Sequence, residues 1–349
     1  FNKNLKIRDK EISSDSPTFL IAEAGVNHGG DIEVAKKLID LAVEAKVDAV
    51  KFQTFKTENL ILTDIQKAPY QKETTGSLES QSDMLKKLEV TKEQNMELNN
   101  YCDDNNIIFL TTPFDEESLD ETDQLDLPAY KVSSTDTTNL PFLKKIAKKG
   151  KPIILSTGMS YLSEIKLALK TIHNYNKDLI LLQCTSNYPI QDDEANLSVI
   201  NTYKENFDVL VGYSDHSLGI GAAPYVIPMG AKVIEKHFTL NKRFKGNDHY
   251  HSLDEKDLKN FNNKLDKILP TLGEYKKRFI KSEIKSRKNA RRSLVLNLNL
   301  KKGHKLKFDD LIPKRPATGI SPIHIKKILG KRLKRNLLSD TILQWKHIS

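Results

Sequence analysis

Asp208-Val209-Leu210-Val211-Gly212-Tyr213-Ser214-Asp215-His216 and Ala231-Lys232-Val233-Ile234-Glu235-Lys236-His237 are the stretches that decide the fold. Each opens as an apolar β run and closes on charged and imidazole side chains. The interval from Ser217 to Gly230 holds one short helix, so the pair reads as a βαβ unit with parallel strands. In a closed parallel barrel, neighbouring strands deliver their carboxyl ends to one rim. His216 and His237 then stand side by side, with Asp215 and Glu235 close at hand. Two imidazoles and carboxylates on one rim make an open metal site.

Upstream, the same unit recurs. Phe19 to Glu23 is a buried strand, and Asp31 to Lys46 an amphipathic helix with Asp31 as its N-cap. Ala49 to Gln53 is the second strand. A long loop, Thr54 to Glu79, precedes a helix carrying Met84, Leu85, Leu88, Met96 and Leu98. Strands three to six are Ile107 to Thr111, Tyr130 to Ser133, Ile153 to Ser156 and Leu179 to Cys184. Helical stretches separate them near 116–125, 140–149 and 163–173, with further helices near 195–206 and 255–269. Eight such units over about 270 residues predict an α/β fold, a TIM (β/α)8 barrel. A doubly wound sheet is the alternative, but Gly25-Val26-Asn27-His28-Gly29-Gly30 does not match its GxGxxG turn.

At 349 residues, 38% hydrophobic and 29% charged, the composition is that of a soluble globular protein. The net charge of +9 comes mainly from Lys, and no basic stripe interleaves with aromatics, which argues against nucleic acid as a partner. The excess suits an anionic small substrate without requiring one. Two cysteines, Cys102 and Cys184, exclude a disulfide framework and fit a reducing cytosol. With no secretory segment and no 18-residue apolar run, the expectation is a cytoplasmic protein without a membrane span.

The strand ends carry the chemistry, because barrel sites sit on the carboxyl rim. In order they supply Glu23; Lys51 and Gln53; Thr111 and Thr112; Lys131, Ser133 and Ser134; Ser156, Thr157 and Gly158; Ser186, Asn187 and Tyr188; Ser214, Asp215 and His216; Glu235 and His237. Inward lysines are costly unless an anion pairs with them. Hydroxyls suit phosphate or carboxylate oxygens. Some, such as Thr111 and Ser133, equally well cap barrel layers.

Ile21-Ala22-Glu23-Ala24-Gly25-Val26-Asn27-His28-Gly29-Gly30, Val50-Lys51-Phe52-Gln53, Thr112-Pro113-Phe114-Asp115, Lys131-Val132-Ser133-Ser134, Leu155-Ser156-Thr157-Gly158-Met159, Gly212-Tyr213-Ser214-Asp215-His216 and Glu235-Lys236-His237-Phe238-Thr239 together resemble the sialic acid synthase family. The resemblance runs from about Phe19 to the C-terminus. It implies condensation of phosphoenolpyruvate with an unphosphorylated N-acetylmannosamine-type sugar, giving phosphate and a nine-carbon 2-keto acid. It implies that His216 and His237 hold a divalent metal, commonly Mn²⁺, with Mg²⁺ or Co²⁺ as substitutes; ligand preference alone admits Zn²⁺ or Fe²⁺ equally. Phosphoenolpyruvate falls to Lys51, Thr112, Lys131, Ser134, Ser156, Ser186 and Ser214. The sugar falls to Glu23, Gln53, Tyr188 and Asp248. Either Glu23 or Glu235 handles the attacking water. Asp248-His249 matches the sialic and legionaminic branches better than the pseudaminic one, and His249 and His251 read as sugar-side or solvent residues rather than ligands. The acceptor is N-acetylmannosamine or its 6-deoxy, diacetamido relative. A condensing enzyme for a phosphorylated aldose, of the 3-deoxy-manno-octulosonate 8-phosphate synthase kind, is the alternative. The Thr54 to Glu79 loop is a natural lid.

Beyond the barrel, assigned to 1–280, a basic connection at 281–292 lacks the Gly and Pro of a floppy linker. Residues 293–349 read as short strands and turns, too few for much of a core. They resemble the antifreeze-like (SAF) domain that ends sialic acid synthases. That likeness implies a homodimer in which this domain covers the partner's barrel and presents an Arg matching Arg315.

Overall fold

The computed structural model describes residues 1–62, 80–274 and 276–349. The chain divides into two compact units, Phe1–Gly273 and Glu274–Ser349. The first is built on eight parallel strands: β3 (Phe19–Gly25), β4 (Ala49–Thr54), β5 (Ile108–Pro113), β6 (Tyr130–Val132), β7 (Ile153–Ser156), β8 (Leu179–Cys184), β9 (Leu210–Asp215) and β10 (Val233–His237). Their order is β5-β4-β3-β10-β9-β8-β7-β6, and β5 adjoins β6 to complete the ring. Every strand residue but Gln53 is buried, as a parallel sheet covered on both faces requires. The eight-unit expectation therefore holds, as a TIM-like barrel.

Alternation along the strands makes two cores. Ile21, Ala49, Ile154, Leu182, Leu210 and Val233 point inward, while Ala22, Val50, Leu155, Leu181, Val211 and Ile234 point at the helices. A hairpin that periodicity did not reveal, β1 (Asn4–Ile7) with β2 (Lys10–Ser13), places Leu5, Ile7 and Ile12 in the inner cluster. It seals the amino end of the barrel. The opposite end stays open for chemistry.

Local signals set the helices. Asp31 caps Ile32–Glu44 by accepting from the Glu33 and Val34 amides. The single helix expected around Met84 to Leu98 is two, Gln81–Lys86 and Lys92–Asp104, because Thr91 and Gln94 form a capping box that starts the second. Most of the expected lid, residues 63–79, lies outside the described residues.

The second unit pairs β11 (Ser293–Leu296) with β12 (Leu311–Lys314) antiparallel. It has a core of its own, including Leu294, Leu296, Leu306, Ile328, Leu333 and Leu343. The basic connection contains a helix, Ile284–Ala290, whose side chains are all exposed.

Candidate active site

The fourteen barrel residues given a role above line one cavity of about 570 Å³ at the carboxyl ends of the strands: Glu23, Lys51, Gln53, Thr112, Lys131, Ser134, Ser156, Ser186, Tyr188, Ser214, His216, Glu235, His237 and Asp248. All but Asp248 converge because each occupies an inward position on its strand or within a few residues of its end; Asp248 comes from the long connection after β10. Gly158 permits the closest approach: a Cβ there would lie 2.2 Å from Ser186 Oγ and 3.0 Å from Ser134 Oγ. Its amide donates to Ser134 Oγ at 2.9 Å.

Two buried lysines organise the electrostatics. Lys51 Nζ lies 2.7 Å from Glu23 Oε2 and 3.7 Å from Glu235 Oε2, and donates to Thr112 Oγ1 at 3.0 Å. Lys131 Nζ donates to Ser156 Oγ at 2.8 Å and lies 3.5 Å from Glu235 Oε1. Ser214 Oγ also donates to Glu235, at 2.8 Å. Against the desolvation of burial, Lys131 and Lys51 hold the Glu235 carboxyl down to about 2. Burial wins at Glu23, whose carboxyl is raised although Lys51 and Gln53 oppose it. Asp248 is pushed up to about 7, by burial first and the neighbouring Glu23 second. Three carboxylates of different readiness to hold a proton thus share one cavity.

The imidazoles form a cluster of rings. His216 and His237 have centroids 5.6 Å apart, and the Tyr188 ring lies over His216 at 4.2 Å. His216 Nδ1 lies 2.8 Å from the Thr185 carbonyl, which fixes the proton there and leaves Nε2 with its lone pair. His237 Nδ1 is buried with no hydrogen-bond partner, its nearest acidic oxygen being Asp248 Oδ2 at 3.8 Å. An orphaned imidazole nitrogen beside one of fixed tautomer is a donor set that fits a divalent ion, with the Thr185 carbonyl as the outer support of His216. Among the described residues, no group of three or more His, Cys, Asp or Glu is arranged to hold an ion. Any ion here would keep open positions.

Asp215 differs from expectation, and of the sugar-side and solvent readings of His249 and His251 burial excludes the second. Asp215 does not join the rim: alternation turns it to the outer face of β9, where it pairs with Lys236 at 2.9 Å. His251 is no solvent residue; it is 3% exposed, with its ring 5.3 Å from that of His237. His249 is buried too, its Nδ1 2.7 Å from Thr239 Oγ1 and its ring edge-on to Phe244. Thr111 caps a layer, sharing a hydrogen bond with Thr54. Arg315 lies in the second unit, exposed, just after β12. The rim residues said nothing of an apolar stretch of the cavity wall, formed by Val26, Phe55, Leu60, Ile61, Leu85 and Phe114. Leu60 and Leu85 stand on short helices whose relation to the barrel no local pattern specifies.

Among known proteins, the N,N'-diacetyllegionaminic acid synthase of Campylobacter jejuni is 44% identical over 330 residues, covering 94% of this chain and 99% of that protein. The synthase of the same name from Legionella pneumophila is 41% identical, with 97% of each chain covered. The crystal structure of N-acetylneuraminic acid (sialic acid) synthetase from Leptospira borgpetersenii in complex with citrate superposes with a TM-score of 0.71 at 32% identity, covering 81% of this chain and 94% of that one. The NeuB family model matches residues 38–277 and the SAF domain model residues 291–349. The chain therefore belongs to the NeuB family and ends in an SAF domain.

Proposed function

We propose that the chain is a nonulosonic acid synthase, a transferase that forms a C–C bond between phosphoenolpyruvate and an unphosphorylated N-acetylmannosamine-type sugar. One observation carries this reading: two buried lysines set among hydroxyls, on the same rim as two adjacent imidazoles. Lys51 and Lys131, with Thr112, Ser134, Ser156, Ser186 and Ser214, suit the phosphate and carboxylate of phosphoenolpyruvate. Glu23, Gln53, Tyr188 and Asp248 face the sugar.

Synthases of this family are generally metal-dependent. His216 and His237 would hold the ion, which when bound supplies Lewis-acid polarisation of an aldehyde oxygen; Mn²⁺ is the ion we propose. The chain's own groups do the rest. Lys51 and Lys131 neutralise phosphoenolpyruvate and hold its methylene carbon against the aldehyde carbon; such alignment is worth effective molarities of roughly 10⁵–10⁸ M. As the new bond forms, C2 of the enol phosphate becomes electron-poor and takes up water, after which phosphate leaves with its oxygen. We assign that water's proton to Glu23: burial raises its carboxyl and makes it the stronger base of the two, whereas the lysines beside Glu235 weaken that one.

We further propose 2,4-diacetamido-2,4,6-trideoxymannose as the acceptor in preference to N-acetylmannosamine. The apolar stretch of the wall suits a C6 methyl and two acetamido methyls. A phosphorylated acceptor would need another cation, and among the described residues lining the cavity the cations are Lys51 and Lys131.

The proposed assembly is a homodimer in the cytoplasm, with the partner's SAF domain over each barrel and Arg315 reaching its sugar. Phe308, Ile323 and Leu338 of the second unit are exposed apolar side chains. That unit carries 22 Lys and Arg against five Asp and Glu, a net of +17, which leaves the barrel unit at −8. Opposite charge favours docking between copies.

The test is phosphate release from phosphoenolpyruvate across a panel of the diacetamido sugar, N-acetylmannosamine, N-acetylmannosamine 6-phosphate and arabinose 5-phosphate. Turnover with the first, more weakly the second, and neither phosphorylated sugar is expected. Preference for a phosphorylated acceptor would refute the reading.

A further inference from the structure

Asp215 and Lys236 do no chemistry in the cavity, yet each immediately precedes one of the two imidazoles assigned to the metal. They are direct cross-strand partners in the β9–β10 register, on the face opposite Ser214 and Glu235. Both are buried, at 1% and 2% exposure. Lys236 Nζ donates to Asp215 Oδ2 at 2.9 Å and to the Ser217 carbonyl at 2.7 Å. Asp215 also accepts from the Ser217 amide at 2.9 Å, from Ser217 Oγ at 2.5 Å and from the Ala223 amide at 3.2 Å. The turn that follows is tailored to this knot. Gly221 has φ +56°, and a Cβ there would lie 1.8 Å from Ser217 Oγ.

A buried ion pair is a poor way to hold two strands together, because desolvation consumes most of its Coulombic gain and apolar residues of like volume do as well or better. Among the described residues, the other ion pairs with both partners this deeply buried belong to Lys51 and Lys131 inside the cavity. A directional pair with several hydrogen bonds supplies what apolar packing does not: it fixes the register and tilt of two strand ends. Those ends are Asp215-His216 and Lys236-His237. Metal–imidazole bonds of about 2.0–2.2 Å tolerate little drift in the two rings.

We infer that the Asp215–Lys236 pair is a positioning device that sets the separation and orientation of His216 and His237 for a divalent ion, acting from behind the sheet. The inference rests on the metal reading above. Its signature is metal affinity lost without loss of fold.

The experiment uses the full chain, purified without metal. Thermal unfolding is followed by circular dichroism, and Mn²⁺ uptake by the electron paramagnetic resonance signal of free Mn²⁺ and by calorimetry. Asp215→Asn/Lys236→Met removes both charges while Asn keeps an acceptor for Ser217. It should melt near wild type and bind Mn²⁺ about 10-fold more weakly, the lower end of the loss when a group bonded directly to a metal ligand is removed, because this pair acts through the strand ends. Should the double variant not fold, Asp215→Asn alone takes its place, since Asn keeps an acceptor for Lys236 and for Ser217. The same weakening is expected. A folded variant binding Mn²⁺ within about twofold of wild type would overturn the inference and leave the pair a structural strut. A wild-type chain that takes up no Mn²⁺ would overturn the metal reading itself, and this inference with it.

Discussion

Lys51→Met keeps the length of the side chain and removes its charge. In the folded chain that charge lies 2.7 Å from Glu23 and 3.7 Å from Glu235. At an effective dielectric constant of about 20, those separations correspond to roughly 6 and 4 kcal/mol of attraction before desolvation is counted. Removing one member of a buried pair typically leaves a net loss of about 3–5 kcal/mol. The loss should depend on pH. Burial already raises the Glu23 carboxyl above its ordinary range, and Lys51 is the main influence holding it down. Without Lys51 its folded pKa rises further. A carboxyl raised on folding contributes its full stability below the unfolded pKa and loses it as pH climbs through the folded one. The stability gap between wild type and Lys51→Met should therefore widen as pH rises above the unfolded value, reaching about 3–5 kcal/mol by about pH 8. Urea unfolding followed by circular dichroism across that range measures it, with phosphate release absent throughout. A gap that does not change with pH, or stays below about 1 kcal/mol at pH 8, would refute the view that Lys51 holds two buried carboxylates.

Glu235→Gln should show a gap that also widens with rising pH, but over a more acid range. Glu235 is depressed to about 2 in the folded chain, so its stabilisation is present above the unfolded value and fades as pH falls toward the folded one; the gap from wild type should be widest near neutrality and close in acid, in the same urea series. Ile7→Ala should cost about 2–5 kcal/mol of stability, because Ile7 is fully buried where the hairpin seals the barrel. Its KM for phosphoenolpyruvate, measured well below the melting temperature, should match wild type, since the cavity lies at the other end of the strands.

The sequence by itself determined the barrel and most of the rim. Strand and helix periods are local, so β7 and β8 fell on Ile153–Ser156 and Leu179–Cys184 as read from their apolar runs. The rim was legible for the same reason: once the strands are known, parallel topology sends their ends to one place, and the polar residues clustering there include Lys51, Lys131, His216 and His237. Tertiary structure decided what those side chains face. Asp215 and Ser214 are neighbours in sequence, yet the pleat sends one behind the sheet to Lys236 and the other into the cavity beside Glu235. Which residue goes inward depends on a register with β10 that no single strand contains. The burial of His251, the hairpin under the barrel and the apolar wall from Leu60 and Leu85 likewise come from contacts between segments distant along the chain. The opposed shifts of Glu23 and Glu235 follow from these same contacts. Both carboxylates are buried, but two lysines engage Glu235 at 3.5 and 3.7 Å while its serine neighbour donates to it. Charge, unlike periodicity, is settled only by the neighbours that folding supplies.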